Sequence, residues 1–394
     1  MTKSKPRLIC FARDPYPLRR ADTAILFGEH LSEDLDTTWC VTGEAGLEGE
    51  YVEAVGRVRV ASSFSGKLKM HAAASREILR GEYDAVQCRD IIILSAWYAL
   101  LAKLAKVPSV YWMSFPMDLG YFERAKRYPP FSPGRLVRVV LGKTGSFLLY
   151  RWTLPNAGMV FAQSDLMAEK LAARGISAER ITVVPMGFSP AIFRPEGETA
   201  VLGGIPVDKR LIFYVGTLDT ERRLEVAFAG AMDVIEKNPD VDLAIAGPAS
   251  DTDIAEIRAS FGARGLGDRV HFLGTIPLGQ LSGVIRRASV CLSPVPNTPL
   301  YDVSTPTKLV EYVACGRRAV ANHLPDHDHV AGATGYCETV DFSPEGFRAG
   351  IEAALAKGAV PTQTLDDAQS WLHENRSYVS LADKCRQAYA MVFA

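Results

Sequence analysis

Short apolar runs alternate with longer segments of mixed polarity along almost the whole chain. The runs Arg7–Ala12, Thr37–Thr42, Ala85–Cys88, Ser109–Trp112, Val160–Gln163 and Ile181–Val184 read as buried strands. Between them, Ala21–Leu31, Leu68–Arg80, Ile91–Ala105 and Leu166–Arg174 carry apolar residues at helical spacing, the last capped by Ser164-Asp165 and closed by Gly175. Segment 185–200, with three prolines and no helix period, breaks the rhythm and reads as a linker. The alternation then restarts. Strands are predicted at Leu211–Val215, Val241–Ala246, Val270–Leu273, Val290–Ser293 and Arg318–Ala321. Helices are predicted at Leu224–Asn238, Ile254–Phe261, Leu278–Arg286, Pro306–Cys315, Glu345–Lys357, Leu365–His373 and Tyr378–Phe393. Strand–helix alternation of this kind predicts parallel sheets with helices on both faces. The expected fold is therefore α/β, with two doubly wound Rossmann-like domains facing across a cleft: 1–187, 188–374, and a closing helix 375–394 that returns to the first domain. Ligands of such sheets bind at the carboxyl ends of the strands.

Composition narrows the class. The chain has 394 residues, enough for two ordinary cores, with 48% apolar and 23% charged residues. A formal net charge of -1 gives no global field for nucleic acid, so none is expected as a partner. The seven cysteines are scattered and include no Cys-x-x-Cys pair, which points to reduced thiols in a cytoplasmic protein rather than a disulfide scaffold or zinc ribbon. The apolar run after the polar, basic Met1–Pro6 is too short for a signal peptide. No run approaches the roughly 20 apolar residues of a membrane span.

The most informative stretch is Ser304-Thr305-Pro306-Thr307-Lys308-Leu309-Val310-Glu311. Ser304 or Thr305 is expected to cap a helix, with Pro306 in its first turn. The free amides of that turn and the positive end of the helix dipole form an anion seat, to which Lys308 adds a full charge. Glu311 follows at the i+3 spacing that shares a face. As an anion it cannot hold phosphate, but it can accept hydrogen bonds from a ribose diol. A diphosphate seat beside a diol acceptor suits a nucleotide-sugar. The same letters also spell an ordinary helix start with a solvated glutamate, and the neighbouring loops decide between the two. Gly216-Thr217-Leu218-Asp219, with Arg222 and Arg223 beyond, follows a strand and brings two guanidinium groups near a phosphate. Gly274-Thr275-Ile276-Pro277 offers backbone contacts and an apolar wall for a base, and the proline-rich loop Pro294–Asp302 leads into the seat.

In this order the pieces resemble a known family. Tyr214-Val215-Gly216-Thr217-Leu218, Ala246-Gly247-Pro248, Val270-His271-Phe272-Leu273-Gly274, Ala288–Pro294 and Pro306–Gly316 are similar to the donor domain of retaining glycosyltransferases of the B-type, two-Rossmann fold. Gln163–Ile176, Val184–Phe188 and Trp371–Tyr389 extend the likeness over most of the chain from about Ala85, within the bacterial polysaccharide and glycolipid family 4. The resemblance implies a cytoplasmic enzyme moving a sugar from a nucleotide-diphosphate donor to a hydroxyl of a saccharide or lipid-linked saccharide, with retention, in surface polysaccharide or glycolipid assembly. It makes 1–187 the acceptor side and 188–374 the donor side. Glu311 would hold the ribose, Arg222 and Lys308 the diphosphate, and Ile276 and Pro277 the base; Gly216, Thr217, Ser304, Thr305 and Thr307 complete the donor seat. Two positions depart from the family pattern. Val303 stands where a first glutamate is usual, leaving Asp302 to contact the donor sugar, and Ser114 stands where a histidine is usual. No cofactor beyond the co-substrate and no metal is expected, because cations and a helix dipole can carry the charge of the departing diphosphate.

Three further features stay open. His323-Leu324-Pro325-Asp326-His327-Asp328-His329 is rich in metal-ligand types but matches no metal-site spacing and suits a loop and cap. Segment 134–152 mixes Leu136, Val137, Val140 and Phe147 with Arg135, Arg138, Lys143 and Arg151. It reads either as a helix packed on its own domain or as a basic amphipathic surface resting on the anionic inner face of the plasma membrane. Arg13, Arg19, Arg20 and Asp22, with His71, Arg89, Asp90 and Ser114, fall on the acceptor side by topology. An epimerase on the same scaffold and a non-catalytic nucleotide-sugar-binding subunit remain as alternatives. The first needs several carboxylates for proton transfer, and the loop Pro294–Asp302 supplies one.

Overall fold

The computed structural model describes residues 4–394. The chain forms two compact units, one ending at Met186 and taking up Tyr378–Ala394, the other Gly187–Ser377.

In the first unit the strands are β1 (Arg7–Ala12), β2 (Asp36–Thr42), β3 (Gly49–Glu53), β4 (Gly56–Ala61), β5 (Ala85–Arg89), β6 (Ser109–Met113), β7 (Met159–Ala162) and β8 (Ile181–Val183). They make one sheet in the order β3-β4-β2-β1-β5-β6-β7-β8, parallel throughout except for the edge strand β3. Central strands β1 and β5 are buried almost end to end, which is why they read as continuous apolar runs. The β3–β4 hairpin escaped prediction because β3 is solvent-exposed and carries charged Glu50, paired with Arg57 and Arg59 of β4, and Glu53. One core face holds Trp39 against Phe27 (ring centroids 5.1 Å) and Trp112 stacked on Phe161 (4.5 Å). The helix Tyr378–Val392 adds Leu381, Cys385, Ala388 and Tyr389 to it, and the Tyr389 hydroxyl donates to Gln87 at 2.6 Å.

The second unit contains β9 (Arg210–Val215), β10 (Val241–Ala246), β11 (Val270–Phe272), β12 (Val290–Ser293), β13 (Ala319–Asn322) and β14 (Cys337–Val340). Their order is β11-β10-β9-β12-β13-β14, with every pair parallel. The sequence of strands therefore runs outward from β9, then returns and runs outward the other way from β12. The first sheet reverses in the same manner between β1 and β5. Two doubly wound Rossmann-like sheets thus each have a switch point. A crevice outside the strand carboxyl ends at such a point is where open α/β sheets bind ligands. In the first unit the residues leaving those ends are Arg13 and Asp90, and in the second Gly216 and Pro294.

Several expectations are corrected. Helix Met117–Ala125 and strand β14 were unanticipated. The histidine-rich stretch is no loop: a helix begins at Pro325 and runs to Thr334. Segment 134–152 is a helix from Pro133 to Leu148 that continues through Thr153 with wider hydrogen bonding.

Candidate active site

The helix Thr307–Ala314 sits between β12 and β13 in the chain and carries Leu309, Val310, Tyr312, Val313 and Ala314 into the core of the second unit. That burial fixes where its N-terminus lies. Strands β9 and β12 pair only at Ile212–Val290 and Phe213–Cys291. Beyond those rungs the amide of Val215 donates instead to the Tyr312 hydroxyl at 3.0 Å, which ties the helix to the end of β9. The expected cap is not formed as predicted. Pro306 itself is the N-cap residue, at φ -67° and ψ 116°, one place before the first turn, and gives no side-chain cap. The turn Tyr301–Ser304 (Ser304 amide to Tyr301 carbonyl, 2.9 Å) delivers the chain to that position. First-turn amides, which have no intrahelical acceptor, therefore gain none from the cap residue. Thr305 is buried beside this mouth, and Ser304 and Thr307 are partly exposed there.

Lys308 leans across the end of β9. Its ammonium lies 3.3 Å from the Tyr214 hydroxyl and 4.6 Å from the centre of that ring. Burial and the nearby Arg222 push it down to about 7, against the pull of Glu311 and Asp219. Glu311, one turn on, is only 8% exposed, and its carboxylate has no hydrogen-bond donor among the described residues. Burial pushes it up to about 7, with Lys308 opposing. Both charges are thus held in a setting that disfavours them: Glu311 has no donor among the described residues, and Lys308 meets the Tyr214 hydroxyl and ring but no carboxylate.

Arg222 ends a short turn, Thr220–Arg222, whose cap is Asp219 accepting the Arg222 amide at 3.1 Å. Its guanidinium is 3.7 Å from the same carboxylate, and its Nε is buried without an acceptor. Arg223 does not join it, contrary to the paired-arginine expectation. It adopts a left-handed backbone (φ 49°), pairs with Glu225 at 3.3 Å and lies over Phe342. Gly216 has φ 154°, and a Cβ there would stand 2.7 Å from the Tyr214 hydroxyl and 3.0 Å from the Lys308 ammonium. A Cβ on Gly247 would meet the Gly216 carbonyl at 2.1 Å. Both glycines are required by this close approach of backbone to backbone and to the lysine. Exposed Thr217 follows, with its carbonyl 3.4 Å from the Tyr214 hydroxyl.

The remaining second-unit candidates lie around this cluster to differing degrees. Ile276 packs on the core as a partly buried wall, and exposed Pro277 caps the helix Leu278–Arg287. Asp302 is partly exposed; its amide bonds the Thr298 carbonyl at 3.1 Å and its carboxylate has no partner among the described residues, while neighbouring Val303 is buried. Sequence reasoning missed Asn322, whose side chain accepts the Val295 amide at 2.8 Å and donates to Asn297 at 2.7 Å, pinning the proline-rich loop. It also missed His327. This ring is fully buried between the Ser293 hydroxyl (3.2 Å) and the Asn322 carbonyl (2.8 Å), and burial drives it down to about 4. Neutral His327 links the ends of β12 and β13. The other two histidines diverge: His323 pairs with Asp328 and His329 faces Trp371. Asn322 is the last residue of β13 and His327 lies in the first turn of the helix that follows, and that position at a strand's carboxyl end is the signal the sequence offered.

At the first sheet's switch point the charges answer one another, although the Arg89 Nε is buried without a hydrogen-bond acceptor. Arg89, 1% exposed, donates to Thr23 at 2.8 Å and to Asp22, and lies 3.6 Å from Asp14. Arg20 forks onto Asp22 at 3.1 and 3.0 Å. Burial alone would raise the Asp22 carboxyl, but Arg89 and Arg20 overcome it and hold it below the usual carboxylate range. Asp90 accepts from the Ser114 amide (2.9 Å) and hydroxyl and from the Phe115 amide (3.2 Å) in a left-handed backbone, φ 54°. Burial raises its carboxyl despite these donors and Arg89. Arg89, Asp90 and Ser114 are therefore neighbours at this end of the sheet. Arg13 reaches the Met117 sulfur at 2.9 Å and Arg19 is exposed. His71 lies apart from them, bonded to the Tyr98 hydroxyl at 2.6 Å near Phe11.

Residues 209–357 match a family model described as glycosyl transferases group 1, and residues 19–187 match the glycosyl transferase 4-like domain. The second unit thus carries the match to the group 1 glycosyl transferases, and the first unit the match to the 4-like domain. A D-inositol 3-phosphate glycosyltransferase of Acidothermus cellulolyticus is 29% identical over 157 residues, covering 37% of this chain and 34% of that protein. The matched segment thus spans about a third of this relative's length. Among solved structures, a sucrose-phosphate synthase from Thermosynechococcus elongatus superposes with TM-score 0.70 at 15% identity over 99% of both chains. Anabaena HepE in complex with UDP and glucose does so with TM-score 0.67 at 14% identity, over 97% of this chain and 99% of its own. At these identities the likeness establishes the fold, the two-Rossmann architecture of B-type glycosyltransferases.

Proposed function

We propose that this protein is a group 1 glycosyl transferase that moves a sugar from a nucleotide-diphosphate donor to a hydroxyl acceptor with retention at the anomeric carbon. The observation that carries this reading is the pair Lys308 and Glu311 on a helix whose cap residue lends its first-turn amides no acceptor, Glu311 buried without a donor and Lys308 without a carboxylate partner among the described residues. A diphosphate on the amides, Lys308 and Arg222 would supply the missing anion. A ribose diol would supply donors to Glu311. HepE, which shares the fold, is a protein solved with UDP-glucose, and this supports the same donor class here.

In the reaction the bond from the sugar's anomeric carbon to the donor phosphate breaks, and a bond to the acceptor oxygen forms on the same face. The acceptor proton passes to the departing phosphate. Lys308, Arg222 and the helix amides stabilise the negative charge that grows on the diphosphate. Gly216 keeps the strand end low enough for the phosphate to approach, and Asp302 stands where it can meet donor-sugar hydroxyls. No metal is needed in this scheme, so turnover persists in EDTA. On the acceptor side, Arg89, Asp90 and Ser114 form the floor on which Arg13 and Arg19 present free cationic reach, while His71 supports packing.

A lipid-linked acceptor at an anionic membrane surface, in polysaccharide or glycolipid assembly, is supported by the helix Pro133–Leu148. Its Leu136 and Phe147 are 62% and 65% exposed, flanked by Lys143 and Arg151. Its inner face is lined by Gly142 and Gly145, packed on Tyr121, Phe122 and Ile92. No helix among the described residues is long and apolar enough to cross a membrane. The test is a thermal-shift screen with nucleoside diphosphates and their sugars, since a ligand that binds only the folded form raises the melting temperature. One of them should stabilise the protein, and Glu311→Ala should remove that response; a response that survives would displace the ribose from Glu311.

A further inference from the structure

At the opposite end of the second sheet, a cavity of about 430 Å³ opens among the strand N-termini. Arg210 at the start of β9, Ser289 before β12 and Arg317-Arg318 before β13 line it, together with Arg287. Its remaining wall is apolar, including Pro195, Leu355, Val360 and Leu365, and no carboxylate lines it. Of the four arginines, only Arg210 has a carboxylate partner, Asp240 at 2.6 Å. Arg287 donates to the carbonyls of Pro206, Val207 and Lys209. Arg318, 7% exposed, donates to the Gly358 and Ala359 carbonyls. Arg317 makes no side-chain hydrogen bond among the described residues, and its Nε is buried without an acceptor.

Buried guanidinium groups without a counter-charge are costly. A helix C-terminus can explain a cation placed beside it, and Arg317 follows the helix Thr307–Ala314. That explanation does not suffice here. The last carbonyls of the helix are already met: Val313 by the Tyr336 hydroxyl at 2.7 Å and the Gly316 amide, Tyr312 by the Arg317 amide, Ala314 by Gln369. Carbonyls hold Arg287 and Arg318 in place but leave their charge uncancelled.

We propose that this cavity is a second anion site, separate from the donor seat, that takes a small phosphorylated metabolite. The phosphate meets Arg317, Arg318 and Arg287, and the organic part lies on Leu355, Val360 and Leu365. The volume exceeds a bare phosphate and is of the size that holds small ligands. Only the eight-residue helix Thr307–Ala314, about 12 Å long, separates the two anion sites.

The test is calorimetric titration of the full chain with inorganic pyrophosphate, which can enter either site. Lys308→Ala weakens the donor seat, so the part of the binding in this variant that responds to Arg317 reports the cavity. Adding Arg317→Gln should weaken that residual binding by about tenfold or more, as expected for a lost charge-assisted contact, and Arg317→Lys should restore part of it. Arg317→Gln alone should keep the wild-type melting temperature and nucleoside-diphosphate affinity, because its side chain holds no protein partner. Absence of pyrophosphate binding in Lys308→Ala overturns the second site while leaving the donor reading intact. So does residual binding that is indifferent to Arg317→Gln.

Discussion

The two switch points each bring carboxylates and cations together and treat them in opposite ways. In the first sheet, Asp14, Arg20, Asp22 and Arg89 answer one another, and the Asp22 carboxyl is held low. In the second, Lys308 and Glu311 lie on one helix face, each driven toward its neutral form near 7 by burial. A closed network of opposite charges rigidifies the fold around it. An open one is strained until something else arrives with the missing charge and donors. The contrast separates a structural cluster from a binding one without reference to any relative.

Removing one member of the closed network should have the largest effect. Asp22→Ala leaves Arg89 buried with only the more distant Asp14 carboxylate, 3.6 Å away, and the loss expected for breaking such a pair is about 3–5 kcal/mol of stability. Chemical denaturation would measure it; a loss below about 1 kcal/mol would mean the network is not structural, and the contrast would fail. Next comes Lys308→Ala, expected to lower turnover by about 10² to 10³ through the leaving group while the melting temperature holds or rises. The third effect has an unusual sign. Glu311 is raised above its unfolded value, so the folded form binds the extra proton between about 4.5 and about 7. Its cost is absent below that window and grows as pH rises through it. Glu311→Gln should therefore stabilise the free protein by about 3 kcal/mol at pH 8, with no gain at pH 4.5, while weakening nucleoside-diphosphate binding. Equal stability of the two forms at both pH values would show that Glu311 is not strained. The smallest effect concerns the first unit's surface. If its buried charges are structural, attraction to lipid must come from the exposed helix, and Leu136→Ser with Phe147→Ser should weaken binding to anionic vesicles by about thirtyfold or more, at roughly 1–2 kcal/mol per residue. Unchanged co-sedimentation would remove the membrane surface.

Much of this was legible in the letters. β1, β10 and β12 were bounded to the residue because buried parallel strands are mostly apolar, whereas β3 is an exposed and β14 a half-exposed edge with no such signature. The seat helix was readable from Pro306, Lys308 and Glu311, although Pro306 proved to be the cap rather than the first turn. What pattern alone could not show was partnership. Arg222 and Arg223 are equivalent on paper, but a left-handed residue turns Arg223 toward Glu225. Equally, nothing in the spacing of Asp14, Arg20 and Asp22 says that Arg89, distant in sequence, comes back to close their network. His327 read as part of a loop and cap rich in metal-ligand types, and only burial makes it a neutral strap between Ser293 and Asn322.

The open character of the second switch point can be read out as protons. At pH 8 the free Lys308 ammonium, held near 7, is mostly neutral, and a diphosphate beside it would raise its affinity for a proton. Calorimetric titration with the nucleoside diphosphate that stabilises the protein best, repeated at pH 8 in buffers of different ionisation enthalpy, should show uptake of up to about one proton that vanishes in Lys308→Ala. Binding with no proton exchange, or with release, would contradict a diphosphate seat at Lys308.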